Sequence, residues 1–229
     1  MSIDLGMKDL AATACTDGRT SLWLGGELAA LERYFEMQKS KTTKGLSRKS
    51  CTLNQKRSRQ RSHLLHSSTK SLVRDAEARG VSTIIVGDLK DIRDGKDWGS
   101  SGNQQLHKWP FDRIVQMLTY KARLRGIRVV KEKEHYTSQT CCICNTRNKA
   151  SRVHRVLYSC KHCGAVIHAD VNGAINILKK YLPEQIIVNR FAWRKTRPAV
   201  SAHESGTWQT SLLHPKTESA ALALSSNRA

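Results

Sequence analysis

CCICNTRNKASRVHRVLYSCKHCGAVIHADVNGAIN, residues 141–176, decides the reading of this chain. Cys141 and Cys144 form one Cys-x-x-Cys pair and Cys160 and Cys163 a second, with Asn145 to Ser159 between them, long enough for a small hairpin. Four thiolates from two such knuckles close a tetrahedral shell around Zn(II) at about 2.3 Å per bond, and a closed four-Cys site is structural rather than catalytic. Cys142 sits between two of the ligands, but Cys141 keeps the two-residue spacing and is the better ligand. The competing use of such cysteines is disulfides, which need an oxidising compartment. The opening Met-Ser-Ile-Asp-Leu-Gly lacks the basic and apolar regions of a secretory signal. Cys15 and Cys51 read as ordinary thiols.

Charge points outward from this stretch to a polyanionic partner. Lys and Arg number 39 against 19 Asp and Glu, a formal net charge of +20 with a sequence pI near 10.0. Such an excess favours phosphate-rich partners, DNA or RNA first. A membrane is not expected, because the sequence has neither a spanning apolar run nor a clean basic amphipathic helix. The expectation is an intracellular, cytoplasmic protein associated with the nucleoid. The excess is concentrated: no Asp or Glu occurs between Glu36 and Asp75. Lys39, Lys41, Lys44, Arg48, Lys49, Lys56, Arg57, Arg59 and Arg61 fall there and are the candidate contacts to a nucleic-acid backbone, each neutralised phosphate releasing counterions.

Hydrophobic periodicity lays out a mixed α/β chain. Ser2 to Gly6, Leu10 to Cys15 and Leu22-Trp-Leu24 read as a three-stranded meander, with Asp17-Gly18 in its second turn. Leu28, Leu31 and Phe35 recur at helical spacing, as do Leu64, Leu65, Leu72 and Val73, so the basic stretch links or belongs to two helices. Val81 to Val86 is a β-branched run suited to a strand covered on both faces. A loop is expected over Asp91 to Gly102. Pro110 then opens a helix lined by Phe111, Ile114, Val115, Leu118 and Ala122, Gly126 stops it, and Ile127 to Val130 forms a further strand. A last helix from about Asp170 to Leu182 presents Val171, Ala174, Ile175 and Leu178 on one side. Beyond Pro183 the pattern fades, and a mostly disordered tail with weak helical patches is expected.

Acids near the first strand and at a late helix are what a two-metal nuclease of the RNase H type requires, since its carboxylates come from distant segments. Asp4 is the first candidate and Asp170 the last. Each has an ordinary alternative: an exposed strand-end acid for Asp4 and an N-cap for Asp170. For the middle acid, Asp88 follows the buried strand, while Glu132 and Glu134 follow the strand ending near Val130. Strand alternation puts both glutamates on one face and does not separate them.

Asp4 in Ile-Asp-Leu-Gly, then Tyr136-Thr-Ser-Gln-Thr-Cys141, the two Cys pairs and Asp170-Val-Asn-Gly-Ala-Ile-Asn-Ile177 together resemble the C-terminal half of TnpB-type proteins, the transposon-encoded relatives of the type V CRISPR nucleases, often called OrfB-family transposases. The resemblance spans about residues 1 to 181. It implies a RuvC-like domain of RNase H fold with an inserted zinc ribbon, cutting DNA under guide-RNA direction with Mg(II) or Mn(II). By position it assigns Asp4 and Asp170 as the outer acids. Many members end the buried strand with Glu-Asp-Leu. This chain has Gly87-Asp88-Leu89, as does a subset that places a glutamate just ahead of the Thr-Ser-x-Thr-Cys segment, and on that pattern Glu134 is the middle acid. His168 is a further departure, since the family often has an acid there. The resemblance also implies a guide-binding region ahead of the first strand, which a separate N-terminal half or partner subunit would supply.

The expected organisation is a RuvC-like core over 1–140 with a basic helical segment at 37–74, a zinc ribbon at 141–163, a final helix at 164–182 and the tail at 183–229. The alternative is a truncated or catalytically inactive zinc-ribbon protein that binds DNA or RNA without cutting it.

Overall fold

The computed structural model describes residues 1–42, 47–88, 99, 109–154, 156–182, 200–202 and 207–210. Its elements in chain order are β1 (Ser2–Leu5), β2 (Asp9–Ala14), β3 (Thr20–Leu24), α1 (Gly26–Ser40), α2 (Arg48–Ala78), β4 (Thr83–Asp88), α3 (Phe111–Arg123), β5 (Arg128–Lys133), β6 (Leu157–Ser159), β7 (Val166–His168), α4 (Ala169–Tyr181), β8 (Val200–Ala202) and β9 (Thr207–Thr210). The expected meander is present as β1, β2 and β3, paired antiparallel. β4 lies parallel to β1 and β5 parallel to β4, giving a mixed sheet in the order β5-β4-β1-β2-β3-β9-β8. No helix among the described residues is long and apolar enough to cross a membrane.

Strand alternation divides the core between the two faces of this sheet. Ile3, Leu5, Ile84 and Val86 pack with Leu65, Leu72 and Val73 of α2 and Ile114, Met117 and Leu118 of α3. The intervening Ile85, with Ala12, Ala14 and Leu22, packs on the other face against Val171, Ala174, Ile175 and Leu178 of α4. Asp4, set between Ile3 and Leu5, therefore belongs to the α4 face, and so does Gly87, two residues on from Ile85. Gly126, with φ of 70°, ends the turn after α3, and Ile127 N–H donates back to Ala122 O at 2.9 Å.

The described part of the basic stretch falls mostly within two helices. It takes in the last turn of α1 and the first half of α2, a helix started by Ser47, whose Oγ accepts from Ser50 N–H at 3.2 Å. Leu65, Thr69, Leu72, Val73 and Ala76 bury the second half of α2, whereas Ser50 is the buried residue of its first half. The expected loop over 91–102 lies outside the described residues apart from Gly99, and Lys44 does too. The tail departs from expectation at two places. β9 pairs antiparallel with β3, Thr20 opposite Thr210, and β8 pairs with β9, so β3 offers its free edge to a strand that carries no hydrophobic alternation to announce it. The remaining residues from 183 on lie outside the described part.

Candidate active site and metal centre

The two knuckles are built alike. Asn145 N–H donates to Cys141 O and Gly164 N–H to Cys160 O, both at 2.9 Å, and Cys141 and Cys160 N–H donate to Thr146 and Ala165 O at 3.0 and 2.8 Å. Each turn needs a left-handed residue at its fourth step, supplied by Asn145 (φ 59°) and Gly164 (φ 71°). The result brings the Sγ atoms of Cys141, Cys144, Cys160 and Cys163 within 4.8 Å of one another, a zinc-ribbon-like cluster. Cys141 and Cys163 are 3.7 Å apart and Cys144 and Cys160 3.6 Å. A regular tetrahedron at zinc–thiolate distances has edges of about 3.8 Å, whereas a disulfide needs about 2.05 Å. The spacing fits one four-coordinate ion. Against the upward pull of burial, hydrogen bonds from Thr146 bring the Cys144 thiol down to about 6, whereas burial holds the Cys141 and Cys163 thiols up. Cys142 turns the other way, into the apolar layer with Ala12, Ile85 and Ile175, where burial pushes its thiol up to about 12. The register choice of Cys141 over Cys142 follows from this packing.

Behind the ribbon, α4 grips the segment that leads into it. Asn176 Nδ2 donates to Thr137 O and Thr140 O at 2.8 and 2.7 Å. Asn172 Nδ2 donates to Thr140 O at 2.9 Å, while its Oδ1 accepts from Cys142 N–H at 2.9 Å. Lys180 Nζ reaches Lys133 O and His135 O at 3.1 and 2.6 Å. Residues 133–142, between the end of β5 and the first knuckle, are thus pinned to one helix by buried side-chain amides. Sequence reading took the Asp-x-Asn-x-x-x-Asn pattern as a family mark without this role.

That pinning places Glu134. Glu134 extends over Gly87 of β4, and a Cβ at 87 would fall inside the Glu134 carboxylate and 2.7 Å from its Cγ. Gly87 pairs with Glu132 across β4 and β5, so Glu134, two residues on, shares that face. The same device recurs at Gly173 of α4, where a Cβ would meet Asp4 Oδ2. Two glycines therefore make the volume in which two carboxylates sit. Burial first, then the charges of Glu134 and Asp170, hold the Asp4 carboxyl well above the usual carboxylate range, with Arg152 opposing. Asp4, Glu134 and Asp170, the acids expected from sequence, lie near enough for the last two to act on the charge of Asp4, but their oxygens are not all within 4.8 Å of one another. Of Glu132, Glu134 and Asp88, it is Glu134 whose carboxylate lies over Gly87 and whose charge acts on Asp4, a contact that strand alternation alone does not reveal.

Asp170 lies in the first turn of α4, but the N-cap position is His168, so the capping alternative for Asp170 is not what the helix uses. Burial raises its carboxyl, with His168 and Arg152 pulling the other way. Arg152 Nη2 donates to Asp170 Oδ1 at 3.3 Å. Sequence reading missed Asp9. Its carboxylate approaches His168 Nε2 at 3.4 Å, and Asp9, His168 and Asp170 offer ligand atoms all within 4.8 Å of one another.

The basic candidates divide. Lys39, Lys41, Arg48, Lys49, Lys56 and Arg59 are exposed. Arg57 and Arg61 instead converge on Glu32 of α1, Arg57 Nε at 2.8 Å and Arg61 Nε at 3.2 Å, and latch α1 to α2.

The fold and the two clusters define a class: a mixed α/β protein with a zinc-ribbon-like module packed beside a carboxylate site. Residues 1–93 match the family model of a probable transposase, OrfB_IS605, and residues 111–177 that of the Cas12f1-like TNB domain. The chain is 34% identical over 112 residues to the CRISPR-associated endodeoxyribonuclease Cas12f1 of Sulfoacidibacillus thermotolerans, covering 49% of this chain and 25% of that protein. It is 29% identical over 196 residues to the TnpB-like protein ORF457 of Acidianus two-tailed virus, covering 78% and 41%. Among solved structures it resembles a Cas12f1–sgRNA–target DNA complex (TM-score 0.64, 20% identity, 79% of this chain and 49% of that one) and a Cas12f ternary complex (TM-score 0.57, 19% identity, 76% and 37%). By these matches the chain is similar to TnpB-type proteins and to the type V nucleases related to them. It spans between a quarter and about two fifths of the length of these two curated relatives.

Proposed function

We propose that this chain is the RuvC-like, RNase H-fold nuclease part of an RNA-guided DNA endonuclease, with Asp4, Glu134 and Asp170 as its catalytic acids. The supporting observation is that three carboxylates, from β1, the end of β5 and the start of α4, lie on one sheet face near enough for Glu134 and Asp170 to raise the Asp4 carboxyl, with Gly87 and Gly173 leaving room for Glu134 and Asp4. Such a set of hard oxygen donors, mutually repelling and partly buried, suits Mg(II) or Mn(II). When bound, the cations supply Lewis-acid activation of water and charge neutralisation at the phosphodiester. The chain's own residues do the positioning. Asp4 is fixed by its strand and by α4, Glu134 by the asparagine grip on residues 133–142, and Asp170 by the helix start and Arg152, whose guanidinium is also a counter-charge for an incoming phosphate.

Zinc at Cys141, Cys144, Cys160 and Cys163 has a structural part, holding the segment that delivers Glu134. DNA and a guide RNA are the proposed partners, as in the Cas12f1 complex of similar fold, and the exposed cations of α1 and α2 are the proposed backbone contacts. Guide binding is assigned to the part of the relatives' length that this chain does not span.

The test is incubation of the zinc-loaded chain with labelled single- and double-stranded DNA in Mg(II), Mn(II) or EDTA, beside Asp4→Ala and Asp170→Ala. Metal-dependent cutting lost in both variants, with DNA binding retained, supports the site. Cutting that persists in both variants removes it. A folded, DNA-binding chain that never cuts supports the inactive binder instead.

A further inference from the structure

Asp9 and His168 have no part in the acid site described above, yet the backbone is bent to bring them to it. Ala12 and Ala14 of β2 face α4. Strict alternation back from Ala12 would put Asp9 on the opposite face. The pairing of β2 with β3 breaks register between Asp9 and Ala11, and Leu10 and Ala11 both pack into the α2/α3 side of the core. This bulge, one residue too many in the strand, turns Asp9 over to the α4 side. There it is 94% buried, its exposure being 6%.

The partner that Asp9 meets is held at long range. Its contact is His168 Nε2 at 3.4 Å, well outside the roughly 2.7–2.9 Å of a charge-assisted hydrogen bond. His168 Nδ1 is itself buried with no hydrogen-bond partner among the described residues. The third member, Asp170, gives Oδ1 to Arg152, while its Oδ2 lies over Gly6 in the β1–β2 turn. Ligands on adjacent corners of one coordination sphere, each about 2.1–2.2 Å from a cation, sit about 3 Å apart. A carboxylate, an imidazole and a second carboxylate from three chain segments, all within 4.8 Å, match that better than they match a hydrogen-bonded triad.

We propose that Asp9, His168 and Asp170 form a second cation position, sharing Asp170 with the acid site, whose imidazole makes it select Mn(II) or another borderline first-row ion over Mg(II). Imidazole suits the transition metals, whereas an all-oxygen set suits magnesium. The position rests on the acid-site reading only through the shared Asp170, since Asp9 and His168 are outside that set.

Pulsed electron paramagnetic resonance of the full zinc-loaded chain with substoichiometric Mn(II) alone reads this directly, because a coordinated imidazole imprints nitrogen coupling on the manganese signal. The expected result is nitrogen coupling in the wild type, lost in His168→Gln, and an affinity for that ion at least about tenfold weaker in Asp9→Asn. Asp4→Asn should keep the nitrogen coupling. Bound manganese without nitrogen coupling in the wild type, coupling that persists in His168→Gln, or unchanged affinity in Asp9→Asn each overturns the proposal. Unaltered zinc content and circular dichroism certify the variants, and either variant alone suffices if the other does not fold. Because this readout needs no turnover, its failure is separable from a failure to cut DNA.

Discussion

The ribbon with α4 and the basic hairpin of α1 and α2 both stood out in the sequence, one by spacing and one by charge, and the structure treats them differently. Around the ribbon every marked residue has a defined partner: four thiolates on one another, Asn172 and Asn176 on the segment that ends at Cys141. In the hairpin the same kind of residue takes two roles. Arg57 and Arg61 close on Glu32, while Lys49, Lys56 and Arg59 face outward. Spacing encodes geometry because coordination and helix period leave few solutions. Charge encodes only a tendency, which any nearby carboxylate redirects.

Stripping the zinc should break the comparison hardest, since structural zinc contributes on the order of 10 kcal/mol to small metal modules. Chelation is expected to raise hydrogen exchange over residues 133–163 and abolish cutting, while α2 and the sheet core keep their protection. Equal exchange throughout would show that the ribbon does not hold Glu134. Next is Gly87→Val, which puts a side chain where the Glu134 carboxylate lies. A displacement of about 1 Å costs about 10²-fold in rate, so kcat should fall by about that factor with DNA affinity and zinc content retained. Asn176→Ala leaves the Thr137 and Thr140 carbonyls short of their shared donor. A destabilisation of about 2–3 kcal/mol is expected by denaturant unfolding, and less than about 0.5 kcal/mol would assign the grip to Asn172 and the lysines. The smallest effects sharpen the hairpin side. Lys56→Ala and Arg59→Ala should each reduce the slope of log affinity against log salt by about one. Arg57→Ala should leave that slope and instead lower stability on the order of 1–2 kcal/mol. Identical slopes for all three would mean that charge, rather than pairing, sets each residue's role.

Much of the fold was readable because its signals are local. The meander, the doubly covered β4 with Ile84 and Val86 on one face and Ile85 on the other, and the apolar stripe of α4 all follow from period 2 or period 3.6. Asp4 and Asp170 were readable as acids at expected places in a familiar motif order. Glu134 was readable only through the motif order, as the glutamate ahead of Thr-Ser-x-Thr-Cys; its contact with Gly87, 47 positions earlier, is carried by no local pattern. Asp9 was hidden by the bulge, since alternation assigns it to the wrong face. β8 and β9 were missed because pairing at a sheet edge is made by backbone groups, to which hydropathy is blind.

A side chain at 87 and the Glu134 carboxylate claim a single volume, so the identity of one position limits the other. Any residue larger than glycine at 87 displaces Glu134, and two positions 47 residues apart in the chain are thereby tied together by space alone.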